Sequence, residues 1–225
     1  MRRQTIRGVQ RFLLLVFIAA LGIGGLFLWQ QMAGGPRLTA GFLRPSLPLA
    51  GRQIGIVAGH SGHDAGAVCP DGLTEAQVNL AIAERVVQAL RKRGASVDLL
   101  AEFDERLAGY RADAFVSIHA DSCAVELSGY KVASLATDEP AAHPASARLA
   151  DCLWRAYGAA TGLPRHPDTI TYDMSRYHAF REIAETTPAA IIEVGFLKAD
   201  RALLTEHPER VAAGIADGIE CFLEP

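Results

Sequence analysis

The sequence predicts a single α/β domain with a mostly parallel central sheet flanked by helices on both faces, preceded by one N-terminal transmembrane helix. Two observations predict the domain: half of the 225 residues are hydrophobic, and short apolar runs of strand length alternate with segments of helical period. A third observation predicts the membrane helix. The eighteen residues from Phe12 to Trp29 contain no charged side chain.

The N-terminal segment is typical of an export signal that remains in the membrane. At about 1.5 Å per residue, residues 12–29 form a helix about 27 Å long, enough to cross the hydrocarbon core. Residues 1–11 carry four arginines and are expected in the cytoplasm. The alternatives are a buried core helix and a cleaved signal peptide, although a signal peptide usually has a shorter apolar region that ends in a small-residue site. The anchor and the signal peptide both export the domain.

Residues 30–52 hold four glycines and three prolines and predict a linker to a domain of residues 53–225. Within the domain, apolar runs predict five strands, at 54–58, 97–100, 114–118, 130–133 and 189–194. Helical periods predict three main helices, at 74–93, 145–160 and 200–222. A possible strand at 169–172 and a short helix at 175–185 lie between the last two of these helices.

Charge excludes one class of partner. Without the four N-terminal arginines, the chain has 18 basic against 25 acidic residues, and its lysines and arginines are not clustered. We therefore expect no nucleic-acid partner. The four cysteines have no CxxC spacing, so a cysteine-based zinc site is not expected, but an even number in an exported protein permits disulfides.

Polar residues at the ends of the apolar runs predict a metal site. His60 and His119 follow two predicted strands, Glu193 lies in a third, and Glu75 opens the first helix. A charged group at the end of a buried strand is costly unless it is paired or binds a metal. Two imidazoles and one carboxylate would bind zinc and leave a fourth position open, with the second carboxylate as a base.

Each of these residues also has a purely structural explanation. A histidine at a strand end can be hydrogen-bonded, a glutamate suits a helix N-terminus, and Glu193 could pair with an arginine. The spacings of 15, 44 and 74 residues match no short zinc motif. From these residues alone, a metal site and four structural polar residues both stay open.

Five segments in a fixed order carry a resemblance to a known family: GHSGHDAGA at 59–67, EAQVNLAIA at 75–83, FVSIHAD at 115–121, GYKV at 129–132 and PAAIIEVGFL at 188–197. Together they resemble the zinc-dependent N-acetylmuramoyl-L-alanine amidases of the Amidase_3 type, over roughly residues 53–222. This resemblance implies that His60, Glu75 and His119 bind Zn²⁺ and that Glu193 is catalytic. The implied reaction is hydrolysis of the amide between the lactyl group of N-acetylmuramic acid and L-alanine in peptidoglycan, at the outer side of a bacterial cell membrane or, if the signal is cleaved, after secretion.

The chain departs from the family pattern at several places. Ser61 replaces a glycine, Asp121 replaces an asparagine, and Lys198-Ala199 replaces Ser-Asn. The stretch between Leu100 and Ala114 is also shorter than usual. His63 fills a variable position, where it could be a further metal ligand, a substrate contact or an exposed loop residue.

Two other functions remain as alternatives: a zinc carboxypeptidase or endopeptidase acting within the stem peptide, and a non-catalytic wall-binding module. Two structural expectations accompany the favoured amidase function. Cys69 and Cys123 follow the two histidines by nine and four residues, so we expect a disulfide between them, while Cys152 and Cys221 could pair or remain buried thiols. The interval 121–193 holds no spare amphipathic helix to cover the site, and a protein regulator is not identifiable.

Overall fold

The computed structural model describes residues 16–18, 22, 47–135 and 143–224. Ser46–Pro225 form one compact unit, which begins earlier than the predicted domain start because Leu49 is fully buried in the core. Met1–Pro45 form a separate unit. The predicted membrane helix at 12–29 lies mostly outside the described residues, and within the described part no helix is long and apolar enough to cross a bilayer.

One sheet of five strands forms the centre of the described domain, in the order β2-β1-β3-β5-β4. The first four strands of this order are parallel, and the edge strand β4 is antiparallel to β5. The bounds are β1 Gln53–Ala58, β2 Ser96–Leu100, β3 Ala114–Asp121, β4 Lys131–Ala133 and β5 Ala189–Phe196. The predicted mostly parallel sheet is therefore confirmed.

Six α-helices lie in the described part of the domain: α1 Glu75–Lys92, α2 Pro144–Thr161, α3 Tyr172–Ser175, α4 Ala179–Glu182, α5 Arg201–Glu206 and α6 Pro208–Leu223. Short 3₁₀ turns occur at Glu105–Leu107 and Pro167–Thr169. The helices α1, α2 and α6 pack over one face of the sheet and bury the larger core.

The opposite face of the sheet has a smaller core, covered by shorter segments. Phe115 of β3 and Ile191 of β5 pack there against Met174, Tyr177 and Phe180. Because side chains alternate along a strand, every second residue faces the same side of the sheet. His119 of β3 and Glu193 of β5 therefore lie on the same face as Phe115 and Ile191. The smaller core therefore ends at the predicted site.

Three sequence expectations about elements were wrong. The helix expected at 200–222 is two helices, because Pro208 cannot continue α5 and instead opens α6. The strand expected at 169–172 is the end of a 3₁₀ turn and the start of α3, which Thr171 caps by accepting a hydrogen bond from the Met174 N–H. The helix expected at 175–185 is reduced to α4.

Candidate metal centre

His60 lies in the turn that follows β1, and its backbone has a φ of 63°, a left-handed value that is uncommon for a residue with a side chain. Two carboxylates hold this residue. Glu102 Oε2 accepts a hydrogen bond from the His60 backbone N–H at 2.6 Å, and Asp64 Oδ1 lies 2.6 Å from the ring Nδ1. Asp64 is itself fixed by the Gly66 N–H. The Nε2 of His60 is thereby left facing Glu75.

Glu75 is the first residue of α1, and its position follows from how that helix begins. Thr74 and Gln77 form a capping box, in which each side chain accepts a hydrogen bond from the other's backbone N–H. The Glu75 carboxylate is turned inward, where it accepts hydrogen bonds from the Ala67 N–H and the Asn79 side chain. The residue is only 6% exposed.

His119 and Glu193 come from neighbouring parallel strands, where they are direct partners in the register of β3 and β5. Both strands continue beyond these residues, to Asp121 and Phe196, further than the sequence predicted. The polar side chains do not end the strands because the backbone keeps its hydrogen bonds, with a shift in register between His119 and Asp121.

Three side chains converge on one point. His60 Nε2 lies 3.3 Å and His119 Nδ1 lies 3.1 Å from Glu75 Oε1, and one ligand atom of each residue lies within 4.8 Å of the other two. Among the described residues, this is the one group of three or more His, Cys, Asp and Glu side chains close enough to hold a metal ion. The set predicted from the sequence is thus assembled.

The pKa values of His60, Glu75 and His119 are shifted by the charges of their neighbours. Burial alone would lower the pKa of His119, but the Glu102 and Glu75 carboxylates raise that pKa to about 10. Contact with Glu75 likewise raises the pKa of His60. Burial would raise the pKa of Glu75, but its contacts with His119 and His60 hold that pKa well below its usual range. The cluster therefore holds an ionised carboxylate between two imidazoles.

Glu193 has a buried carboxylate oxygen, Oε2, without a hydrogen-bond partner. Burial raises the pKa of Glu193 to about 7. Across the sheet, Lys131 of β4 is its antiparallel register partner. The Lys131 ammonium pairs with Asp121, the residue that stands where the resembling family has asparagine, so the additional carboxylate has a cationic partner.

The sequence analysis did not single out three residues that surround the cluster: Glu102, Tyr177 and His178. Glu102 lies just after β2, is 5% exposed, and contacts His60, His119, Tyr177 and His178. Burial would raise the pKa of Glu102, but His119 and His178 hold it well below its usual range. One signal could have indicated Glu102. Because β2 is parallel to β1, its carboxyl end opens on the same edge of the sheet as His60.

His63 does not join the cluster. Its ring packs edge-on against Phe103, whose ring stacks on His178 with centroids 4.3 Å apart. The side chain of His63 is 55% exposed, and its Nε2 lies 3.5 Å from Asp64. His63 is therefore an exposed loop residue at the rim of the site.

Two disulfides are present in the described domain. The expected bridge between Cys69 and Cys123 is confirmed, and it joins the loop before Glu75 to the segment after β3. Cys152 and Cys221 also pair, which connects α2 with α6.

Comparison with known proteins agrees with this geometry. A family model described as N-acetylmuramoyl-L-alanine amidase matches residues 54–221. The uncharacterised protein YqiI of Bacillus subtilis is 29% identical over 212 residues, which cover 88% of this chain and 98% of YqiI. The amidase AmiC of Neisseria meningitidis is 31% identical over 153 residues, which cover 62% of this chain and 36% of AmiC.

Among solved structures, the catalytic domain of CwlV, an N-acetylmuramoyl-L-alanine amidase from Bacillus (Paenibacillus) polymyxa var. colistinus, superposes with a TM-score of 0.55 at 28% identity. The match covers 75% of this chain and 96% of that domain. The family match spans most of the chain and includes His60, Glu75, His119 and Glu193. The chain therefore belongs to the N-acetylmuramoyl-L-alanine amidases, hydrolases that release the peptide stem of peptidoglycan.

Proposed function

We propose that this amidase is zinc-dependent, that His60, Glu75 and His119 hold the Zn²⁺, and that Glu193 is the catalytic carboxylate. The observation that carries the proposal is the convergence of His60 Nε2, Glu75 Oε1 and His119 Nδ1 beside the unpartnered carboxylate oxygen of Glu193. A buried polar atom without a partner is rare in a folded protein, so its presence at this point favours a function.

The residues fit the metal. Two imidazole nitrogens and one carboxylate oxygen are the donor set of catalytic zinc sites, which keep one position for water or substrate. Asp64 on the far nitrogen of His60 supplies the outer hydrogen bond that commonly fixes the tautomer of a histidine ligand. Two glycines also leave the space that the ligands occupy, since a Cβ at Gly59 would overlap the His119 ring and one at Gly66 would lie 2.6 Å from Glu75 Oε2.

The bound Zn²⁺ supplies Lewis acidity, which polarises a carbonyl and makes water more acidic. Glu193 contributes the proton transfers. Its carboxylate lies beside His119, on the neighbouring strand and the same face of the sheet. It takes a proton from the attacking water and gives that proton to the nitrogen of L-alanine as the amide breaks. Burial suits Glu193 to this task because a carboxyl group with a raised pKa both accepts and donates a proton near neutral pH.

Two variants test this division of roles. Glu193→Gln should keep one equivalent of zinc but lose hydrolysis by at least about 100-fold, because the amide cannot carry the proton. His119→Ala should lose both zinc and hydrolysis. Metal content and muropeptide products are measured together, since release of the intact stem from the sugar identifies an amidase, whereas a shortened stem still on the sugar identifies a peptidase.

Glu206→Gln is the matched control, because Glu206 is an exposed glutamate on α5 outside the site. It should bind zinc and cleave substrate as the natural chain does. Near-normal turnover by Glu193→Gln would reject the catalytic role, and full zinc content in His119→Ala would reject the ligand set.

We also propose that residues 12–29 anchor the protein in the bacterial cell membrane and that the catalytic domain acts on the extracytoplasmic side. The uncharged apolar run with arginines before it supports this orientation. Two disulfides in the domain are compatible with an oxidising compartment. If the anchor is correct, the full chain will be recovered in the membrane fraction and a chain without residues 1–45 will not.

A further inference from the structure

Glu102 is a buried carboxylate outside the segments that resemble the family. It follows β2 by two residues and reaches under the site from the strand next to β1. Four N–H or O–H groups surround its carboxylate, and two of them face each carboxylate oxygen.

One oxygen faces both histidines of the proposed metal site. Glu102 Oε2 accepts the hydrogen bond from the His60 N–H at 2.6 Å and lies 3.5 Å from His119 Nε2. His119 Nε2 is buried and has no regular hydrogen bond, while Nδ1 of the same ring faces Glu75. The carboxylate is therefore on the side of His119 that points away from the metal position.

The other oxygen is held by the segment that covers the smaller core. Glu102 Oε1 accepts a hydrogen bond from the Tyr177 hydroxyl at 2.8 Å and lies 2.9 Å from His178 Nε2. His178 is fixed in turn by Glu182 at 2.8 Å from its Nδ1 and by stacking on Phe103. These contacts leave Glu102 little freedom to turn away from His60 and His119.

We infer that Glu102 is a positioning residue for the metal centre, which orients both histidine ligands through a single carboxylate oxygen. It holds His60 by a hydrogen bond from the backbone N–H, in the left-handed conformation that a residue with a side chain seldom adopts. Its negative charge lies 3.5 Å from His119 Nε2, which favours a proton on that nitrogen and leaves Nδ1 facing the metal position. This inference rests on the proposed zinc site and adds a residue that acts through His60 and His119.

A simpler role for Glu102 would be to balance the charge of His178. That role needs only Oε1, whereas the shortest contact of Glu102 is made by Oε2 to His60. The two roles predict different results when Glu102 is changed, because only the positioning role requires weaker zinc binding in that variant.

Glu102→Gln is the decisive variant. All the groups around Glu102 are donors, and an amide offers one acceptor oxygen where the carboxylate offers two, so one side of the network must be lost. The zinc dissociation constant, measured by competition with a chelator, should rise about 10- to 100-fold. The visible spectrum of the cobalt-substituted protein should shift, because it reports ligand orientation, while the unfolding temperature of the metal-free protein shows that the variant folds.

Three comparisons keep the result specific. Glu102→Asp retains the charge but shortens the side chain, so its zinc binding should also weaken, and wild-type affinity in this variant would overturn positioning in favour of charge alone. His178→Gln should change the zinc dissociation constant by less than about threefold. Asp200→Asn removes an equally buried carboxylate outside the site, which accepts hydrogen bonds from Ser128, Gly129 and Phe196, and should lower thermal stability without altering zinc affinity.

Zinc binding by Glu102→Gln within twofold of the natural chain would overturn the inference while leaving the proposed function intact. If Glu102→Gln does not fold, the shortened Glu102→Asp variant decides in the same way. A natural chain that binds no zinc would instead overturn the proposed zinc dependence, and this inference with it.

Discussion

Glycines at two positions close to His60, Gly59 and Gly66, leave space for the side chains of the proposed metal ligands. A Cβ on Gly66 would lie 2.6 Å from Glu75 Oε2 and 2.8 Å from His60 Cδ2, distances at which the ligands must move. Gly66 also has a φ of 61°, which other residues adopt only at a cost. The motif that indicates the family therefore has a steric reason as well as a chemical one.

We expect Gly66→Ala to weaken zinc binding by about tenfold or more, because the added methyl group displaces Glu75 and His60 from their mutual contact. Its control is Gly72→Ala. Gly72 has a φ of 91° but nothing within 4 Å of an added Cβ, so that variant should lose about 1 kcal/mol of stability from backbone strain and keep its zinc affinity. Chelator competition and thermal unfolding of both variants provide the check; equal zinc affinities would contradict the steric explanation.

At this scale the sequence indicated the residues that converge at the proposed metal site, but not the residues that support them. His60, His119 and Glu193 could be recognised because each is a polar residue at the edge of an apolar run, where burial needs a reason. His178 carries no such signal, and Glu102 is indicated only once the parallel pairing of β2 with β1 is known. Their contact across 76 positions depends on how the segment after α2 folds over the smaller core, which a local pattern does not reveal.

The elements of the domain are tied together by two disulfides with different surroundings. Cys69 lies in the loop that shapes the Glu75 pocket, where Ala67 and Glu75 exchange hydrogen bonds, and its partner Cys123 follows the end of β3. Cys152 and Cys221 join α2 and α6, which pack against each other on the face that bears the larger core. One bridge therefore adjoins the ligand loops, whereas the other stabilises the helical layer.

Removing each bridge by a pair of Cys→Ser substitutions should separate these roles. Both double variants should lose about 2–5 kcal/mol of unfolding free energy, because the unfolded chain gains freedom. Only the variant at Cys69 and Cys123 should also bind zinc more weakly, since the loop before Glu75 is then held less firmly. Denaturant unfolding and chelator competition measure the two effects, and equal zinc affinity in both double variants would show that the first bridge does not support the site.

Elements with a long, regular pattern were predictable from sequence, and short ones were not. The helix α1 matches its prediction within a residue at each end because Val78, Ile82, Val86 and Leu90 are all buried at the expected period. The segment 169–172 resembles a strand locally, but Thr171 is used as a helix cap, and tertiary packing of Met174 and Phe180 decides its conformation.

For the molecule as a whole, the described elements leave no helix free to cover the metal site. The short helices α3 and α4 bury Met174, Ala179 and Phe180 in the smaller core, and α2 is packed on α6. Moving any of them would expose core residues. The side chain of His60 remains 27% exposed, so the described part of the domain leaves the proposed metal position accessible from solvent.

We therefore expect a chain of residues 46–225, which correspond to one compact unit, to hydrolyse soluble muropeptides without a partner and as fast as the detergent-solubilised full chain. If the proposed anchor is correct, the difference should appear only with intact cells, because the full chain is then restricted to the membrane and its reach into the wall is set by the linker. Rates on soluble substrate and cell fractionation are measured side by side, with Glu193→Gln as the inactive control. A zinc-loaded domain that is silent until part of 135–187 is trimmed, or until a partner is added, would mean that this interval does cover the site.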